Sequence, residues 1–155
     1  MVTFGNKIII FGGHSHAILQ NYYSFNVSEE KWVAVPHISG VYPEKVEKQT
    51  CVLYEMLMVF FGGYYCSPDF EYEACYNLIS VLDIENMRWV EQVKMAGEEP
   101  RGRFAHSATL LEEEMFIFGG IYNAAERYPS PHPASASTTS GRSTCPRATS
   151  SAGPS

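Results

Sequence analysis

Ile8-Ile9-Ile10-Phe11-Gly12-Gly13, Met58-Val59-Phe60-Phe61-Gly62-Gly63 and Met115-Phe116-Ile117-Phe118-Gly119-Gly120 repeat one pattern, an apolar run closed by a glycine pair. Gly62 follows Gly12 by 50 positions and Gly119 follows Gly62 by 57; Trp32 and Trp89, which come after the first two runs, are also 57 apart. Setting the glycine pairs on one another brings neighbouring segments into register without gaps. Gln49-Thr50-Cys51-Val52-Leu53-Tyr54 falls on His106-Ser107-Ala108-Thr109-Leu110-Leu111, and two turn-like positions, Glu55-Met56 or Glu112-Glu113, separate each from its glycine-terminated run. Counting back from the tryptophans, Ser24-Phe25-Asn26-Val27 matches Val81-Leu82-Asp83-Ile84, so that Asn26 and Asp83 each stand six residues before Trp.

Every unit therefore reads as four strands. Strand A covers 49–54 and 105–111, B covers 7–11, 57–61 and 114–118, C covers 20–27 and 77–84, and D covers 31–35 and 88–93. The B strands are apolar at both alternating sets of positions, which suits a strand buried on both faces. A period of this length built from short strands is the signature of a β-propeller, whose blades pack between neighbours. Glycine at the end of strand B permits positive φ and lets the backbone of the next blade come close. The expected fold is all-β, with blades of four antiparallel strands.

The ordered set of apolar run, Gly-Gly, aromatic strand, spaced Trp, and Pro100-Arg101 leading to His106-Ser107 resembles kelch repeats. Tyr23, three residues before Asn26, stands where a kelch unit has its tyrosine, and Ser80 replaces it in the second unit. The Pro-Arg and His elements are complete only in the third unit, since Pro43-Glu44 and Gln49 occupy those places in the second. The resemblance covers about residues 1–122 and implies a circular propeller with strand A innermost. It assigns repeat-defining, structural roles to Gly12, Gly13, Tyr23, Trp32, Gly62, Gly63, Asp83, Trp89, His106, Gly119 and Gly120.

By the same register, Met1 to Phe4 fall on Ala108 to Leu111, inside a strand A. After Asn123 the composition turns to Ser, Thr, Pro, Ala and Gly with no apolar period, and such a segment cannot bury enough surface to offset ordering entropy. The expected organisation is a partial propeller over 1–123, in pieces 1–35, 49–93 and 105–123, followed by a disordered tail over 124–155. Such a set cannot close a ring, and open blade edges invite self-association. A piece of a longer kelch protein is the favoured explanation, because the change at 123–124 is abrupt; several copies completing one ring is the alternative.

Charge and cysteines bound the partners. Of 155 residues, 17 are acidic and 11 basic, a net charge of −6, which argues against nucleic acid as a partner. No apolar run approaches the length of a membrane span, and no basic start leads into an apolar signal segment. The four cysteines, Cys51, Cys66, Cys75 and Cys145, lack metal-ligand spacing, so reduced thiols in the cytoplasm are the default.

Up-and-down connectivity puts the B–C and D–A connections on one side of the sheets, and these are the long ones: 36–48, 64–76 and 94–104. The A–B and C–D turns, on the other side, are expected to hold two or three residues. Binding residues concentrate on long loops over a rigid scaffold. The leading candidates are Tyr64, Tyr65, Asp69, Phe70, Glu71, Tyr72, Glu73 and Tyr76, with Arg101 and Arg103 beside them, because aromatic side chains give large contact area at small entropic cost. The competing structural reading is that several of these rings only cap their own blade.

No residue set points to catalysis, a metal or a cofactor. His14 and His16 form a His-x-His pair with no adjacent third ligand. His106 near Arg101 and Arg103 fits a blade-packing role, and Glu112-Glu113-Glu114 fits a solvated hairpin tip. The expected function is a kelch interaction module or scaffold for a protein partner of unknown identity. The alternatives are a piece of a propeller enzyme resembling the galactose oxidase central domain or sugar epimerases, which rests on fold analogy alone, or a truncated product without its own function.

Overall fold

Short turns join strand A to B and strand C to D within a unit, so these sequence neighbours become spatial neighbours. The computed structural model describes residues 1–35, 37–68, 72–90, 93, 96–122 and the backbone of 148–150. In the first unit β1 (Val2–Phe4), β2 (Lys7–His14), β3 (Ile18–Asn26) and β4 (Lys31–Val35) lie in that order across a four-stranded antiparallel sheet. The second repeats the plan with β5 (Thr50–Tyr54), β6 (Leu57–Phe61), β9 (Ile79–Asp83) and β10 (Arg88–Trp89). Between β6 and β9, where the sequence predicts a long loop over 64–76, strands β7 (Tyr64–Cys66) and β8 (Glu73–Cys75) pair as a separate hairpin. The third unit supplies β11 (Ser107–Leu111) and β12 (Glu114–Phe118), and β13 (Ala148–Ser150) pairs in parallel with β12.

The expected strands A to D are thus borne out in order and pairing. Strand D of the second unit is shorter than expected, ending at Trp89 rather than 93, although the Val90 amide still donates to the Val81 carbonyl at 2.9 Å. The remainder of the tail expected over 124–155, apart from β13, lies outside the described residues.

The turns follow local chemistry. Each A–B hairpin leaves two residues between paired ends, and the first has positive φ: Gly5 at 56°, Glu55 at 52° and Glu112 at 54°. The C–D turns hold four residues, 27–30 and 84–87, rather than two or three. One side chain at the head of each organises it. Asn26 Oδ1 accepts from the amides of Ser28 (3.0 Å) and Glu29 (3.2 Å), and Asp83 Oδ1 accepts from those of Glu85 and Asn86 (both 3.0 Å). This is the reason for a short polar acceptor six residues before each tryptophan.

The core consists of two interfaces between sheets. Ile9 and Tyr22 of the first sheet meet Met58, Phe60, Leu82 and Trp89 of the second, with Ile38 beneath. On the opposite face of that second sheet, Val52, Val59, Phe61 and Val81 meet Met115 and Ile117 of the third. Alternate residues of β6 therefore enter different cores, which is why its whole length is apolar. Burying each such side chain contributes about 1.5–3 kcal/mol. Strand β5 lies beside both β1 and β11, so the A strands gather side by side as radiating blades require.

Candidate functional site

The glycine pair at the end of β6 is where the long connections converge. Gly62 and Gly63 have φ of 71° and 115°, a left-handed path that β-carbon-bearing residues avoid. A Cβ on Gly62 would collide with the Arg103 carbonyl, and one on Gly63 would sit 2.6 Å from Val46 Cγ2. The space is filled by Arg103 and His106 beside Gly62 and by Val46 and Gln49 beside Gly63. The Gly63 amide donates to the Arg103 carbonyl (2.9 Å), and Glu47 and Tyr64 exchange two backbone bonds of 2.9 Å. The Arg103 amide reaches the Tyr76 carbonyl at 3.2 Å, and that of Ala105 reaches the Lys48 carbonyl at 3.0 Å. Gln20, near the start of β3, donates from Nε2 to the Pro43 carbonyl (2.9 Å), which ties the first sheet to the segment before β5.

On this framework the aromatic residues form two groups. Tyr64 and Phe104 pack in a tilted contact with centroids 4.8 Å apart, and Lys48 Nζ lies over both rings, 5.6 and 5.4 Å from their centres. The Tyr64 hydroxyl donates to Glu73 Oε2 at 2.9 Å, while Lys48 also pairs with Glu47 (3.0 Å). Burial, with the neighbouring Glu73 and Cys66, pushes the Tyr64 hydroxyl well above the ordinary phenol range. The second group is Tyr65 against Tyr72, 5.9 Å apart on the hairpin. Tyr76 follows the hairpin half-buried, its hydroxyl also raised, by burial first and then by Tyr72.

Among the expected site residues, Tyr64, Tyr65, Tyr72, Glu73 and Tyr76 are therefore brought together on and beside one hairpin. Asp69, Phe70 and Glu71, expected at its tip, lie outside the described residues. Arg101 sits over the Tyr122 ring at 5.6 Å. Arg103 is turned to the chain itself, with Nη1 donating to the Gly119 carbonyl (3.1 Å) and Nε to that of Arg101 (3.2 Å). Glu47, Lys48 and Phe104 belong to the cluster and were missed by the sequence reading. Lys48 and Ala105 occupy the same repeat position and both have positive φ, 57° and 53°, so the chain kinks at the same place in both units.

His106 is a packing residue. It is 7% exposed, Nε2 is 2.6 Å from Thr50 Oγ1 on the neighbouring sheet, and the ring stands edge-on to Phe61 at 5.4 Å. Burial first, then the Arg103 charge, holds it below the ordinary imidazole range, so at neutral pH the uncharged ring joins the two sheets. His14 Nδ1 lies 3.4 Å from Glu47. Among the described residues no group of three or more His, Cys, Asp or Glu could hold a metal ion, and no helix is long and apolar enough to cross a membrane.

Comparison with known proteins adds to the geometry. The family model described as the KLHDC2/KLHL20/DRC7 Kelch-repeats domain matches residues 1–152. A Dictyostelium discoideum protein named "Probable serine/threonine-protein kinase" is 34% identical over 122 residues, covering 75% of this chain and 9% of its own. Human Kelch domain-containing protein 3 is 30% identical over 122 residues, 77% of this chain and 30% of the relative. Human Kelch domain-containing protein 1 is 24% identical over 135 residues, 74% of this chain and 33% of the relative. The chain thus spans a third or less of the length of these curated relatives.

Proposed function

The chain belongs to the kelch-repeat family, and from that premise we propose that it is a non-catalytic interaction module whose long connections receive a protein partner. The observation that carries this reading is the convergence of residues 46–49, 62–64, 76 and 103–106 at the glycine pair, with Tyr64, Phe104 and Lys48 packed at their meeting point. A braced base of this kind lowers the entropic cost of binding, because few of its side chains remain to be ordered. Tyr65, Tyr72 and Tyr76 then supply aromatic area, and Glu73 and Arg101 supply charges of both signs at its edge. Mixed charge suits a folded protein surface better than a polyanion such as nucleic acid. The same reading places the module in the cytoplasm, in keeping with reduced cysteines.

The test is a comparison of variants on the two sides of the sheets. Proteins retained by the chain from its own cells are identified by quantitative mass spectrometry for wild type, Tyr65→Ala, Arg101→Glu and the turn variant Glu55→Lys. Loss of the same partner in the two loop variants, with retention in Glu55→Lys, supports the reading. Loss only in Glu55→Lys, or turnover of a substrate by the purified chain, overturns it.

A further inference from the structure

The kink at Lys48 does not need a lysine. Its backbone has φ of 57°, and the equivalent Ala105 makes the same kink at 53° with no long side chain. The four-carbon stem serves the ammonium, which lies 5.6 and 5.4 Å from the centres of Tyr64 and Phe104 and 3.0 Å from Glu47 Oε1. Two rings tilted toward one another, with a carboxylate beside them, make the environment that recognises an alkylammonium group.

Each wall of this seat is held by something other than Lys48. The Tyr64 hydroxyl donates to Glu73 Oε2 at 2.9 Å, and the Tyr64 backbone exchanges two bonds with Glu47. Phe104 exchanges two backbone bonds with Ile121, of 3.0 and 2.9 Å. Glu47 keeps a second contact, its Oε2 lying 3.4 Å from His14 Nδ1. Arg103, the cation next to Phe104 in the chain, is engaged by the Gly119 and Arg101 carbonyls. Lys48 itself is held differently: its side chain is 51% exposed. A cation over exposed rings and an exposed ion pair each retain such a side chain by a factor of about three. Glu47, Tyr64, Glu73 and Phe104 all fall between residues 47 and 104, so the seat draws on neither end of the chain.

We propose that Tyr64, Phe104, Glu47 and Glu73 form a seat for a lysine side chain presented by the protein partner, which Lys48 occupies in the free chain as an internal competitor. The incoming lysine displaces Lys48 from the rings and from Glu47, and this competition lowers its apparent affinity about tenfold. Assigning the cation to a partner rests on the interaction-module reading; the seat itself does not.

The test titrates Nα-acetyl-lysine methylamide, and its neutral Nε-acetylated form, into the full chain while the ring resonances of Tyr64 and Phe104 are followed by NMR. The variants are Lys48→Ala, which copies Ala105, and Lys48→Ala combined with Phe104→Leu. Lys48→Ala is expected to bind the lysine compound about tenfold more tightly than wild type. The neutral form should shift neither protein, and the double variant, followed on Tyr64, should lose the gain. No binding to Lys48→Ala, equal affinity in wild type and Lys48→Ala, the same shifts with the neutral form, or a gain that survives Phe104→Leu each overturns the proposal. Tighter binding of butylammonium, which carries the cation without the peptide groups, points to a free amine and overturns the assignment to a partner. Buried-tryptophan emission from Trp89 checks the fold; Lys48→Gln and Tyr64→Leu replace any substitution that loses it. The titration reads the chain alone, so it decides the seat whether or not the partner capture described above succeeds.

Discussion

Replacing Gly62 with alanine separates two costs that a glycine conceals. Gly62 and Gly119 end strand B in adjacent units with nearly equal φ, 71° and 69°, so alanine meets the same backbone penalty at both. That penalty is about 1–2 kcal/mol, and about 0.4–1 kcal/mol is recovered from the stiffer unfolded chain. The surroundings differ. A Cβ on Gly119 meets nothing within 4 Å, whereas one on Gly62 meets the Arg103 carbonyl and lies 2.9 Å from His106 Cε1. Relieving that contact means displacing the Arg103 backbone and the His106 ring, at about 1–3 kcal/mol for overpacking. It also loosens the bond from the Gly63 amide to the Arg103 carbonyl, worth about 1 kcal/mol. Gly62→Ala should therefore cost about 3–4 kcal/mol and Gly119→Ala about 1 kcal/mol. Urea titration of both variants measures the difference, and thermal melts should show about 10 °C lost at Gly62 against about 3 °C at Gly119. Equal losses would refute the close-approach argument, because only the contacts distinguish the two sites.

Other outcomes follow from the same geometry. Trp89→Ala should cost about 3–5 kcal/mol, as a large buried aromatic, while the half-exposed Trp32→Ala should cost well under half of that; denaturant midpoints compare them. Because the folded state holds His106 below its unfolded value near 6.5, its contribution is complete above that pH and is lost as pH falls from about 6.5 toward the folded value. His106→Gln, which installs the residue found at the equivalent Gln49, should flatten stability against pH in that window. Asp83 is shifted the opposite way, held low chiefly by Asn86, so its stabilising effect is present above the ordinary carboxylate value and disappears as pH falls through the lowered one. Asp83→Ala should destabilise by about 1 kcal/mol through loss of the amide bonds of its turn, and Asp83→Asn, matching Asn26, should restore most of it.

Much of the site was legible because it depended on connection length. Long segments at 36–48, 64–76 and 94–104 required the B–C and D–A connections to share a side, and the aromatic run Tyr64 to Tyr76 marked the richest of them. Pairing within that run was not legible. Tyr64-Tyr65-Cys66 and Glu73-Ala74-Cys75 are too short and too irregular in hydropathy to declare a hairpin, and they form one because the Glu47 backbone braces its outer edge. Lys48 and Phe104 escaped notice because a cation over two rings joins residues 56 positions apart, a relation no local pattern encodes.

The sequence by itself determined the repeat, the four strands of each unit and the apolar character of both faces of strand B, since all three follow from periodicity and from the backbone freedom of glycine. Asn26 and Asp83 stood in the sequence only as matching positions at the end of strand C; the structure shows each organising its turn by accepting from nearby amides. Tertiary structure alone decided which of two equivalent tryptophans is buried. Trp32 and Trp89 are the same residue in the same pattern, and only a neighbouring sheet with Phe11 in place removes one of them from water. Burial of a sheet face belongs to the pair of sheets that share it, and no single strand's sequence records whether its partner is there.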